Sequence, residues 1–80
     1  MYYLYIIRCA DDTLYTGIAK DLTKRIEEHN TSPKGAKYTR NRRPVVLVYS
    51  EEHSDRSAAS KREYVVKKMR RLEKLELIRG

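Results

Sequence analysis

Tyr2-Tyr3-Leu4-Tyr5-Ile6-Ile7-Arg8-Cys9-Ala10-Asp11-Asp12-Thr13-Leu14-Tyr15-Thr16-Gly17 is the stretch on which the fold turns. Residues 2–9 are rich in Tyr and Ile and read as a strand. Asp11-Asp12 signals a turn, and residues 13–19 read as a second strand, so the short connection predicts an antiparallel hairpin. Side chains alternate between faces, which puts Tyr3, Tyr5, Ile7 and Cys9 on one side. A register that pairs Ile7 with Tyr15 sets Tyr5 opposite Gly17 and keeps Tyr5 and Tyr15 on the same face. A slip of one residue would part them.

Outward from the hairpin, Asp21 is an N-cap for a helix running to about residues 28–30. Leu22, Arg25, Ile26 and His29 follow helical spacing. Leu22 and Ile26 need burial, so Arg25 and His29 lie on or beside the buried stripe, an unusual place for two cationisable groups unless something anionic is near. After a basic loop over residues 31–43, Pro44 opens Val45-Val46-Leu47-Val48-Tyr49, apolar on both faces. That pattern predicts a strand in the middle of a three-stranded sheet. Ser54-Asp55 starts a helix over 55–69, with Ala58, Val65, Met69 and Leu72 on one stripe and Ala59, Glu63 and Val66 on the next. Residues 71–79 continue as a short helix or a bent extension, with Leu72, Leu75 and Ile78 inward. The expected architecture is α+β, a three-stranded antiparallel sheet flanked by helices in the order ββαβαα.

Eighty residues make one small domain, 1–80, whose core buries only about 60–65% of the unfolded surface. The lone Cys9 precludes an intrachain disulfide, no Cys/His spacing suggests structural zinc, and a reduced, cytoplasmic setting is expected. The opening apolar run is too short for a signal peptide or a membrane span. Net charge is +7, and its distribution is lopsided: residues 1–33 hold four Lys/Arg against five Asp/Glu, residues 34–80 fourteen against six. Lys34, Lys37, Arg40, Arg42 and Arg43 fall within ten residues that contain no acid. Such a patch attracts polyanions, nucleic acid before membrane, because it lies in a turn-like stretch and not on an amphipathic helix.

Tyr3-Leu4-Tyr5 and Tyr15-Thr16-Gly17, ten residues apart tyrosine to tyrosine, followed in order by Lys20, Arg25, His29 and Glu63, resemble the GIY-YIG nuclease superfamily. The resemblance covers nearly the whole chain and looks closest to the short stand-alone bacterial members. Tyr3 and Leu4 stand where the first motif has Gly and Ile, and Thr16 where the second has Ile. It implies a metal-dependent DNA endonuclease, with a place in repair or recombination. Glu63 would be the metal ligand for one Mg²⁺ or Mn²⁺, and Gly17 a structural motif residue. DNA would be favoured over RNA, with a protein partner or a homodimer helping substrate selection.

Phosphodiester hydrolysis needs an activated water and stabilised charge on the phosphate oxygens. Magnesium often takes only one or two protein carboxylates plus substrate phosphate, so a single Glu63 is enough. Arg25 would bind a phosphate oxygen and Lys20 would add charge. Tyr15 is the candidate for activating the water, with Tyr5 orienting it; His29, whose ordinary pKa suits a base, is the rival. Each residue also has a plain structural role open to it: tyrosine as the only aromatic packing residue, Gly17 for close packing, His29 at a helix C-terminus, Glu63 paired with Lys67. Two other functions compete. One is a non-catalytic nucleic-acid-binding module using the 34–43 loop and sheet tyrosines; the other is a protein-interaction subunit of a repair complex.

Overall fold

The computed structural model describes residues 1–31, 39 and 41–80. Strand β1 spans Tyr2–Arg8 and β2 Leu14–Ala19; helix α1 is Leu22–Thr31, strand β3 Val46–His53, and helices α2 and α3 are Arg56–Lys67 and Arg71–Arg79. The order is the expected ββαβαα, and all strand pairings are antiparallel. In the hairpin Ile7 faces Tyr15 and Tyr5 faces Gly17. Asp12 takes φ 67° in the turn, and Asp11 accepts from the Thr13 N–H and hydroxyl. This is an Asx-type closure that suits Asp at such positions.

The strand order is β2-β1-β3, which corrects the expectation that the Val45–Tyr49 run is central. β1 holds the middle because four consecutive residues, Leu4 to Ile7, are buried, so both of its faces are covered. β3 is an edge strand. Val46 is 51% exposed and Leu47 38%, and the strand continues past Tyr49 through Ser50-Glu51-Glu52-His53. A register shift between Ile6 and Ile7 leaves Val48 as an extra residue, a bulge of the kind that blunts exposed edges.

The sheet separates two small cores. On one face α1 lays Leu22 and Ile26 over Tyr5, Ile7, Cys9 and Val45. On the other, Val66 of α2 joins Leu4 and Ile6, with Ile18, Met69, Leu77 and Ile78 packed around them. Asp21 and Asp55 start their helices as expected, accepting from the N–H groups of Lys24 and Ala58. Of the two expected stripes, the one with Ala59 and Val66 faces inward; on the other Met69 packs against the core, while Val65 is half-exposed and Leu72 is 75% exposed. The helix stops at Lys67, and α3 begins afresh with the Glu73 carboxylate accepting from the Arg70 N–H, so helical spacing does not carry across the break. Leu77 and Ile78 are therefore the inward residues of α3, while Leu72 and Leu75 stay outside. Among the described residues no helix is long and apolar enough to cross a membrane.

Candidate active site

The hairpin register and one face of α1 bring most of the singled-out residues together. Tyr5 is 1% exposed and its hydroxyl lies 2.7 Å from His29 Nε2. His29 is wholly buried; its Nδ1 is 2.9 Å from the Thr39 hydroxyl. The imidazole meets both tyrosine rings edge-on, with centroids 5.7 Å from Tyr5 and 5.4 Å from Tyr15. One turn earlier, Arg25 interacts with the Tyr5 hydroxyl and pairs with Glu28 at 3.1 Å. The i, i+3 spacing of Arg25 and Glu28 was a readable signal for that pair. Gly17 makes room for all this: a Cβ there would sit 2.5 Å from Tyr5 Oη.

Burial pushes the Tyr5 pKa up to about 12, against the pull of Arg25. Burial pushes His29 down to about 4, helped by the charges of Arg25 and Arg43 and opposed by Glu28. At neutral pH the pair is therefore a phenol and a neutral imidazole. The consistent assignment has the Tyr5 hydroxyl donating to Nε2 and Nδ1–H donating to Thr39. Arg25 stays charged although burial opposes it, because Tyr5 and Glu28 favour the guanidinium.

The C-terminal carbonyls of α1 are served by Arg43, which donates to His29 O at 2.6 Å and Glu28 O at 3.4 Å, so the His29 ring turns inward instead of capping its own helix. Asn30 completes the tie between α1 and the start of β3. Its Oδ1 accepts from the Val45 N–H at 2.7 Å and its Nδ2 donates to Val45 O at 3.1 Å. Nothing in the local sequence marks Asn30 for this. Arg42 pairs with Asp11 at 2.9 Å, and its carbonyl accepts from the Ala10 N–H, joining the end of the basic stretch to the hairpin turn. Arg42 and Arg43 thus both have structural contacts. Lys34, Lys37 and Arg40 lie outside the described residues.

Glu63 projects from the sheet side of α2 and pairs with Lys67 at 3.3 Å, while its charge is felt at Tyr5. Lys20 is exposed just beyond β2 and lines a cavity together with Arg25. Among the described residues no three His, Cys, Asp or Glu side chains gather as a metal cage. A half-buried single carboxylate does not fit zinc or calcium, but it fits Mg²⁺ or Mn²⁺ completed by waters and substrate phosphate.

Residues 1–76 match the GIY-YIG catalytic domain. The chain belongs to the GIY-YIG family. It is 55% identical over 79 residues to a UPF0213 protein of Desulfotalea psychrophila, covering 99% of this chain and 72% of that one. It is 54% identical over 77 residues to a UPF0213 protein of Staphylococcus saprophyticus, covering 96% and 93%. The solution NMR structure of a UPF0213 protein from Bacillus halodurans superimposes with TM-score 0.62 at 42% identity, covering 98% of this chain and 83% of that one. An E. faecalis protein does so with TM-score 0.66 at 39% identity, covering 98% and 82%. The GIY-YIG family is of nuclease type, with nucleic acid as its general partner and divalent metal as its typical cofactor. Within this GIY-YIG chain the two motif tyrosines and Gly17 occupy facing strands, and Arg25 and His29 come down on them from α1.

Proposed function

We propose that this GIY-YIG domain is a metal-dependent DNA endonuclease that hydrolyses phosphodiester bonds. The observation that carries the reading is the buried Tyr5–His29–Thr39 chain set beside Arg25 and Tyr15 and within the field of Glu63. A core needs no such polar chain, since burying it is costly unless every member is satisfied. Glu63 would hold one Mg²⁺ or Mn²⁺, which when bound polarises the phosphate and offsets developing charge. Arg25 takes a phosphate oxygen, exchanging part of its contact with Glu28 for the substrate. Tyr15, half-buried and less enclosed than Tyr5, holds and activates the attacking water. Tyr5 and His29 act behind it. His29 is too deeply buried to meet water directly, but its neutral Nε2 is a proton acceptor for the Tyr5 hydroxyl.

The binding-module alternative loses part of its support. Bases cannot stack on Tyr5, which α1 covers. The experiment is cleavage of flaps, bubbles, junctions and single strands in Mg²⁺ or Mn²⁺ by wild type, Glu63→Gln and Arg25→Ala. Wild-type cleavage should fall by at least about a hundredfold in both variants, since each removes a charge contact to the transition state. Wild type and Glu63→Gln equally inactive on every substrate would remove the nuclease reading.

A further inference from the structure

Two adjoining cavities run along the junction of β2 and α1. One, of about 230 Å³, is lined by Lys20, Lys24, Arg25 and Glu28 among others; the next, of about 440 Å³, by Tyr3, Lys20 and Thr23. Lys20 and Asp21 line both, so the two form one groove with Arg25 at one end and Tyr3 at the other. The larger volume falls in the range of about 300–1,000 Å³ typical of ligand sites. The acids of the groove are already engaged: Asp21 caps α1 through the Lys24 N–H, and Glu28 pairs with Arg25. Lys20 and Lys24 have no ion-pair partner among the described residues. The Tyr3 hydroxyl donates to Glu52 at 3.3 Å, which orients an aromatic wall at the far end.

We infer that this groove carries an unpaired nucleic-acid strand away from the scissile phosphate, with its phosphates on Lys24 and Lys20 and a base against Tyr3. Two lysines on flexible stems next to one aromatic ring are the elements of sequence-tolerant single-strand binding. The inference extends the nuclease reading, because Arg25 at its head is the proposed phosphate ligand. It also gives the domain a surface that prefers a frayed or single-stranded flank over intact duplex.

The test is an NMR titration of the whole chain with a thymidine tetranucleotide in EDTA, where no cleavage occurs. Amide shifts should centre on Tyr3, Lys20, Thr23 and Lys24. Tyr3→Leu should weaken binding about five- to tenfold, the low end for losing one stacked base. Lys24→Gln, at an exposed site where folding is not at stake, should weaken it several-fold and reduce the salt slope by about one. Shifts confined to α2 and α3, around Lys61, Tyr64 and Lys68, would overturn the inference, as would unchanged affinity in both variants. So would an abasic tetranucleotide binding as tightly as thymidine. Groove binding without metal-dependent cleavage of any substrate would uphold the groove and sink the nuclease reading; cleavage with a silent groove would do the reverse.

Discussion

The Tyr5 hydroxyl sits 2.7 Å from Nε2 of a wholly buried His29, and burial moves the two groups in opposite directions, the phenol up to about 12 and the imidazole down to about 4. Both changes favour the neutral forms. The hydrogen bond therefore runs from an intact phenol to an unprotonated nitrogen throughout the physiological range.

This pair makes stability depend on pH. His29 ordinarily titrates at 6.5 and in the fold at about 4, so between these values the unfolded chain binds more protons. Stability therefore rises with pH through that window, is complete above about 6.5, and is lost as pH falls toward 4. The loss should reach roughly 2–3 kcal/mol. Urea unfolding of wild type and His29→Gln at a series of pH values measures it; an equal slope in both would show that other groups carry the dependence.

Gly17→Ala tests the close approach across the hairpin. The new Cβ would fall 2.5 Å from Tyr5 Oη and 2.7 Å from Cζ, and the ring is hemmed in by His29 and Arg25. Overpacking of this kind costs about 1–3 kcal/mol. Thermal unfolding should register the loss, and the His29 ring resonances should move as Tyr5 is displaced. A variant with wild-type melting and unmoved His29 signals would contradict the geometry.

Asn30→Asp should be destabilising although it changes one atom. The carboxylate still accepts from the Val45 N–H but cannot donate to Val45 O, leaving a carbonyl unpaired on a residue that is 4% exposed. The expected cost is about 1–3 kcal/mol at neutral pH, read by chemical denaturation. Protonating the new carboxyl restores a donor, so part of the deficit relative to wild type should be recovered in acid.

Glu51 anchors α2 to the edge strand, accepting from Tyr49, His53 and Arg62, with the latter two bonds at 2.9 and 2.8 Å. Burial raises its pKa, but these partners outweigh that and hold it below the ordinary 4.5. Its contribution is thus present above about pH 4.5 and declines as pH falls. Glu51→Gln should lower stability by about 1–2 kcal/mol at pH 7 and leave the proposed cleavage unaffected. A variant as stable as wild type at pH 7 would mean that the network contributes nothing net.

Much of the fold was legible because its signals are local. Alternation put Tyr3, Tyr5, Ile7 and Cys9 on one face of β1, the structure supplied the register that sets Tyr5 opposite Gly17, and Asp21 and Asp55 marked two helix starts by a mechanism that needs only neighbouring N–H groups. The i, i+3, i+4 spacing of α1 put Arg25 and His29 on its buried side. Ala59, Val66, Met69 and Ile78 face inward as expected, but Val65, Leu72 and Leu75 were misplaced because the spacing was carried through residues 68–70, where the helix breaks.

By itself, then, the sequence determined the element order, the two capped helix starts and the buried side of α1 on which Arg25 and His29 lie. All of these follow from periodicity and capping over a few residues. Only the tertiary structure decided that β1 and not β3 is central, because Val45–Tyr49 and Leu4–Ile7 are equally apolar as strings and differ only in what packs over them. Only the tertiary structure made His29 a neutral partner of Tyr5 and not a helix-capping cation. A side chain's charge state depends on the solvent it loses and the charges it gains, here Arg25 and Arg43, and those come from residues distant along the chain as well as near.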